Sequence, residues 1–215
     1  MDLLILGVFL AATYVVAHSL GSAYAGMYAM LVGVIVCSWR LAIAHSSWRD
    51  LGLRAPKSWP RTIVASLALL VASELAGLLI IGPLARAAHW PPLDVSRFAG
   101  LGGNWHALLG WLLGAWTSAA IGEELIFRGF LISRLQMLWG GTRAATLLAV
   151  VTQAICFGVA HLYLGQRGVV TAMVIGLLYG EVYVRTGRNL FILIIAHGAT
   201  DSMSLIAIYA GAVVS

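Results

Sequence analysis

From Leu3 to Trp39 the chain carries no Asp, Glu, Lys or Arg. A single helix over that run would be roughly 55 Å long, whereas the hydrocarbon core of a bilayer is about 30 Å thick. The run is therefore two membrane spans, and the polar stretch His18-Ser19-Leu20-Gly21-Ser22 is where it turns. The rest of the chain follows the same pattern: of 215 residues, 61% are hydrophobic and 10% charged, against about 25% charged in soluble domains. So few charges exclude a water-soluble fold. In lipid every backbone donor and acceptor must be satisfied inside its own element. The expected fold class is all-α: a polytopic bundle of about seven transmembrane helices in one domain, residues 1–215. Residues 1–61 are expected to supply peripheral N-terminal helices and a basic loop, and residues 104–212 a core that holds the polar motifs.

Pro56, Pro60, Arg40, Arg49, Arg54, Lys57 and Arg61 mark the first loop. A third span is expected over about 62–81, followed by a mixed loop from Pro83 to Gly103 with Trp90 and Phe98 at the interface. A fourth begins near Trp105 and ends near Trp139. That is too long for one straight crossing, so it is tilted, kinked or in two pieces. A fifth covers about 144–161 and a sixth 169–184 after a turn at Gly165–Gly168. A seventh covers 190–212. There is no internal repeat and no low-complexity tail.

The net charge of +5 sits in short gaps between apolar runs, with no basic aromatic patch, so nucleic-acid binding is excluded. Arg40, Arg49, Arg54, Lys57, Arg61, Arg134, Arg143, Arg185 and Arg188 fall on one side, and Arg86, Arg97 and Arg167 on the other. That asymmetry makes the first side cytoplasmic, with the N-terminus inside. The N-terminus lacks the positive region of a signal peptide and reads as a retained first helix. Cys37 and Cys156 lie within apolar runs and read as small buried hydrophobes rather than a disulfide.

Ionisable groups within spans cost on the order of 2.5–3.5 kcal/mol each. Here they cluster: Glu123, Glu124, Arg128, His161, His197 and Asp201, with Glu74 and Glu181 elsewhere. Glu124 and Arg128 are four apart and can pair, which leaves Glu123 without an assigned partner. His197 and Asp201 share a face, and Glu181 with Arg185 forms another such pair. Counted from the turns at Gly140-Gly141 and Gly187, Glu123, His161 and Asp201 fall in one layer, with His197 about a turn deeper. Polar residues that merely join helices are usually Ser, Thr or Asn. A spare carboxylate beside two imidazoles asks for chemistry.

A carboxylate in low dielectric is a useful base. Glu123 with His161 can hold and deprotonate a water, while His197 with Asp201 steadies an oxyanion. The same set, Glu123, His161 and His197, offers ordinary ligands to a divalent metal such as zinc, and residue type alone leaves the two routes open. There is no His-Glu-x-x-His, no Gly-x-Ser-x-Gly and no pair of buried aspartates on separate helices.

Glu123-Glu124-x-x-x-Arg128, Phe157-x-x-x-His161 and His197-x-x-x-Asp201, in that order on hydrophobic helices, resemble the three motifs of the CPBP family. These are the CAAX-protease and bacteriocin-processing membrane proteins, also called Abi. Leu51-Gly52-Leu53-Arg54 resembles a stretch in the family's cytoplasmic loop. The type II CAAX prenyl endopeptidase branch has Asn where this chain has Asp201. The resemblance implies a helical intramembrane endopeptidase acting on hydrophobic or lipidated peptide substrates. Glu123 is then the water-activating glutamate, His161 its partner, His197 and Asp201 the oxyanion site, and Glu124 and Arg128 their support. It also implies a multi-pass protein of a bacterial-type plasma membrane, in contact with membrane lipid. A non-catalytic immunity or scaffold protein that keeps the motifs, or a small transporter or proton relay, are the rival readings. Glu123→Gln separates the first rival, since a scaffold tolerates it, and solute flux separates the second.

Overall fold

In a computed structural model, residues 1–22 and 24–212 are described. Among them the chain forms seven helical spans and no strand. These are α1 (Asp2–Ser19), α2 (Ala25–Ile43), α3 (Trp59–Ala87), α4 (105–138), α5 (Arg143–Ala160), α6 (Gly165–Arg185) and α7 (Leu190–Tyr209). All but α4 are long and apolar enough to cross a membrane by length and composition. Their outer faces expose Leu, Ile, Val and Trp, as a surface solvated by lipid tails requires.

The helix ends follow local chemistry. Ser58, Asn104, Thr142 and Asn189 each accept a backbone N–H at an N-terminus. The α4–α5 hairpin turns through Gly140 and Gly141, both at positive φ. Three boundaries differ from the sequence reading. The third span continues past Pro83 to Ala87, because a widened π turn over Gly77–Ile81 precedes the proline and accommodates its missing N–H. The break after α5 falls at His161–Leu164 rather than at Gly165–Gly168, so α6 begins at Gly165. The first helix runs through His18 to Ser19, and the turn follows it. Cys37 is fully buried, but Cys156 is exposed on the outer face of α5, which corrects its reading as a buried hydrophobe.

α1 packs on α2, α2 on the middle of α4, and α7 between α4 and α3, while α5 and α6 form a hairpin. One end of the molecule is tied by polar contacts. Asp2 bridges Arg40 (2.9 Å) and Arg134 (3.1 Å). Tyr183 Oη donates to Leu51 O, Leu190 N–H to Gly52 O, and Arg188 Nη2 to Gln136 Oε1. Gly52 is irreplaceable there: φ is +105° and a Cβ would lie 1.7 Å from Arg188 O. At the other end Asp94 N–H donates to Leu164 O, and Gly103 N–H to Tyr209 O. These contacts hold the 88–104 segment across the ends of α5 and α7. Hydrogen bonds from Ser96 hold the Asp94 carboxyl below its ordinary value.

Candidate active site

The middle of α4, Ala115–Leu131, is wound as a π-helix over 17 residues. Thr117 Oγ1 and Ser118 Oγ donate to Leu113 O (2.7 Å) and Gly114 O (3.0 Å) where the segment starts. These hydroxyls engage carbonyls that α-turn amides would use, and back-bonding of this kind distorts helices. Sequence spacing treated this stretch as ordinary α-helix. The wider turn reduces the angle between successive side chains, so Glu123 and Glu124 both address α7.

Arg128 Nη1 donates to Glu124 Oε1 at 2.9 Å, with both side chains fully buried. The same Glu124 oxygen lies 2.8 Å from His197 Nδ1. Nε2, on the far edge of the His197 ring, faces Asp201 Oδ2 at 3.6 Å and Glu123 Oε2 at 3.9 Å. Burial is graded along this line: side-chain exposure is 0% at Glu124, 13% at His197, 16% at Glu123 and 32% at Asp201. The ion pair is thus the floor, and Glu123 and Asp201 are on the accessible side. Glu123 Oε2, Glu124 Oε2 and Arg128 Nε and Nη2 are buried and have no hydrogen-bond partner among the described residues. Buried polar groups left in this way mark a hole built for polar occupants.

His161 ends α5, and its Nδ1 lies 2.8 Å from Phe157 O. A carbonyl only accepts, so Nδ1 carries the proton and Nε2 keeps a lone pair. The Phe157 ring joins the two halves of the site. It lies 4.5 Å from His161 and 6.4 Å from His197, ring to ring, and the Arg128 guanidinium stands 4.2 Å from its centre. Tyr179 flanks His197 at 6.1 Å. Tyr163 stacks on His161 at 5.7 Å and is covered by Arg97.

Glu123, Glu124, Arg128, His197 and Asp201 are therefore brought into one contact set, and His161 joins it through Phe157. Glu181 pairs with Arg185 on the surface of α6, and Glu74 is exposed on α3, both outside the set. Sequence reasoning quoted Phe157 as a motif letter without a task, used Arg97 only for orientation, and passed over Tyr179 and Tyr163. Aromatic residues in an apolar helix carry no signal of which ring faces a polar hole. Among the described residues no three His, Cys, Asp or Glu side chains converge closely enough to hold a metal ion. The Nδ1–H bond of His161 to a carbonyl leaves Nε2 as its open nitrogen, and Glu123, His161 and His197 as placed here do not form a ligand group.

Residues 104–203 match the family model described as type II CAAX prenyl endopeptidase Rce1-like. That segment contains all three motifs and supports placing this part of the chain in the CPBP/CAAX protease family. No curated protein and no solved structure matches the chain.

Proposed function

We propose, on the family match over 104–203 and the geometry around His197, that the chain is an intramembrane endopeptidase using a glutamate-activated water. Six helices long and apolar enough to cross a membrane, and the likeness to CAAX-type proteases over 104–203, support the reading.

Glu123 takes the proton of a water held between its carboxylate and His161 Nε2, the ring nitrogen that still has a lone pair. The water oxygen attacks the scissile carbonyl carbon, and negative charge develops on the carbonyl oxygen. His197 meets it with Nε2–H. Its Nδ1–H is already directed into the Glu124 carboxylate, so a second ring proton makes a cationic donor with no reorganisation. Asp201, 3.6 Å away, balances that charge and orients the ring. Collapse of the tetrahedral centre breaks the C–N bond, and the proton held by Glu123 passes to the leaving amine. The observation that carries the reading is Glu123 Oε2: buried, without a hydrogen-bond partner among the described residues, and 3.9 Å from the imidazole. A hydrophobic or lipidated peptide is the substrate class, since access lies among helices whose outer faces are apolar.

Glu123→Gln keeps shape and removes proton acceptance. Cleavage is expected to fall by about 10²–10⁴-fold while the protein folds normally. N-terminal profiling of membranes carrying wild type or the variant reads this as peptide ends present only with wild type. Identical end profiles from the two would reject the reading and favour a scaffold. Solute flux in proteoliposomes without new ends would favour a transporter.

A further inference from the structure

The 88–104 segment is held by a small core of its own. Leu101 is fully buried in a cluster with Leu205 of α7, and Phe98 and Trp111 pack against it. Phe98 and Trp111 meet edge to face at 4.7 Å. Gly103 N–H donates to Tyr209 O, and Asn104 caps α4. The segment is thus fixed to the start of α4 and the end of α7, and its side chains are placed by packing, as in compact loops that carry their own core.

Arg97 reaches from this core toward the site. Its guanidinium carbon lies 5.5 Å from the ring centre of Phe98, 5.3 Å from that of Trp111 and 4.4 Å from that of Tyr163. The first two rings belong to the small core, and the third to the turn that follows α5. A guanidinium is planar and stacks on aromatic faces. Close by, Asp94 N–H donates to Leu164 O at 3.2 Å. The segment and the His161–Leu164 turn are therefore joined twice, through backbone and through Arg97.

His161 stands where such support matters. It lies just beyond the last residue of α5, at φ −101° and ψ 17°. Its own N–H reaches back to Gly158 O, the tighter bonding of a fraying helix end. The bond between Nδ1 and Phe157 O fixes one atom of the ring and leaves the ring free to swing about it. Neighbouring rings settle the plane. Phe157 meets the imidazole at 53°, whereas Tyr163 lies within 29° of parallel at 5.7 Å, centre to centre. A near-parallel neighbour resists tilt of the ring.

We propose that Arg97 and Tyr163 are positioning residues for His161. The 88–104 segment holds Arg97, Arg97 holds the Tyr163 ring, and that ring sets the plane of the imidazole and with it the direction of the Nε2 lone pair. The consequence for turnover rests on the peptidase reading; the geometry does not.

Heteronuclear NMR of the full-length protein in detergent, labelled on histidine nitrogen, tests the geometry, and cleavage kinetics test the consequence. His161→Asn identifies the His161 signal. Wild type is expected to show a single Nδ1–H tautomer there. Tyr163→Leu and Arg97→Gln are each expected to broaden that signal or mix the tautomers, with the thermal transition recorded to confirm folding. Either variant suffices if the other does not fold. In both, kcat is expected to fall about 10-fold with KM nearly unchanged, because a misdirected group costs rate rather than binding. Tyr163→Phe keeps the ring and is expected to retain both the signal and the turnover. An unchanged His161 signal in the folded Tyr163→Leu and Arg97→Gln proteins would overturn the proposal. So would a Tyr163→Phe protein as slow as Tyr163→Leu, which would assign the effect to the hydroxyl, or an Arg97→Gln protein with raised KM and intact kcat, which would make Arg97 a substrate contact. A wild type that cleaves nothing, yet whose ordered His161 signal is released by the two variants, would sink the peptidase reading and uphold the positioning.

Discussion

At the residue scale the Glu124–Arg128 pair decides whether the site survives. Both groups are fully buried, so removing one leaves a charge in low dielectric. Arg128→Ala is expected to cost about 3–5 kcal/mol, measured as the unfolding transition in detergent. Replacing both, Glu124→Leu with Arg128→Met, is expected to recover much of that stability while activity stays lost, because His197 then has no acceptor on Nδ1. A double variant as unstable as Arg128→Ala would mean the pair is not the cause. This pair was legible in the sequence because its partners are four residues apart on one helix. The contact of Glu124 with His197 was not: spacing alone assigned His197 to Asp201, whereas the 2.8 Å bond goes across to α4 and Asp201 stands at 3.6 Å. Contacts between helices depend on rotation about each axis, which a lone apolar pattern leaves open.

At the scale of elements, two glycines set how closely helices approach. A Cβ on Gly198 would lie 2.6 Å from the Trp116 ring, and that indole is held by Ser202 at 3.1 Å. A Cβ on Gly176 would lie 2.9 Å from the Ala154 backbone. Gly198→Ala is expected to push α7 from α4 and stretch the His197–Glu124 bond, lowering cleavage more than stability. Gly176→Ala loads the α5–α6 hairpin and is expected to cost about 1–3 kcal/mol of stability with a smaller effect on turnover by the folded fraction. Thermal unfolding beside a cleavage assay separates the two. Span number and order were legible because charge-free runs and Gly, Pro and Arg punctuation are strong signals. The π winding of α4 and the passage of α3 beyond Pro83 were not, since both depend on which carbonyl an amide reaches.

For the whole molecule the cations gather at two ends. The tie between Asp2, Arg40 and Arg134, and the seating of Leu51-Gly52 on the α6–α7 turn, put the N-terminus and the 44–58, 139–142 and 186–189 segments at one end. Arg86, Arg97 and Arg167 are at the other, with the 88–104 segment. The first end carries most of the Lys and Arg and is expected to be cytoplasmic. With Cys156 replaced by Ser and Cys37 left buried, Ser46→Cys is expected to react with an impermeant thiol reagent only from inside, and Ser96→Cys only from outside. The opposite pattern would turn the candidate site, which lies nearer the 88–104 segment, toward the cytoplasm.

The winding of α4 has a bearing on the bilayer itself. As a uniform α-helix, residues 105–138 would extend about 51 Å and overrun the hydrocarbon layer. Winding with more residues per turn shortens the segment at the depth of Glu123 and Glu124. Membrane thickness is therefore expected to act on the register of the candidate site: a thicker bilayer would pull α4 toward longer, tighter turns and rotate the two glutamates relative to α7, while a thinner one would relax it. Hydrophobic mismatch, ordinarily absorbed by tilt, would in this chain fall on the geometry of its most polar helix.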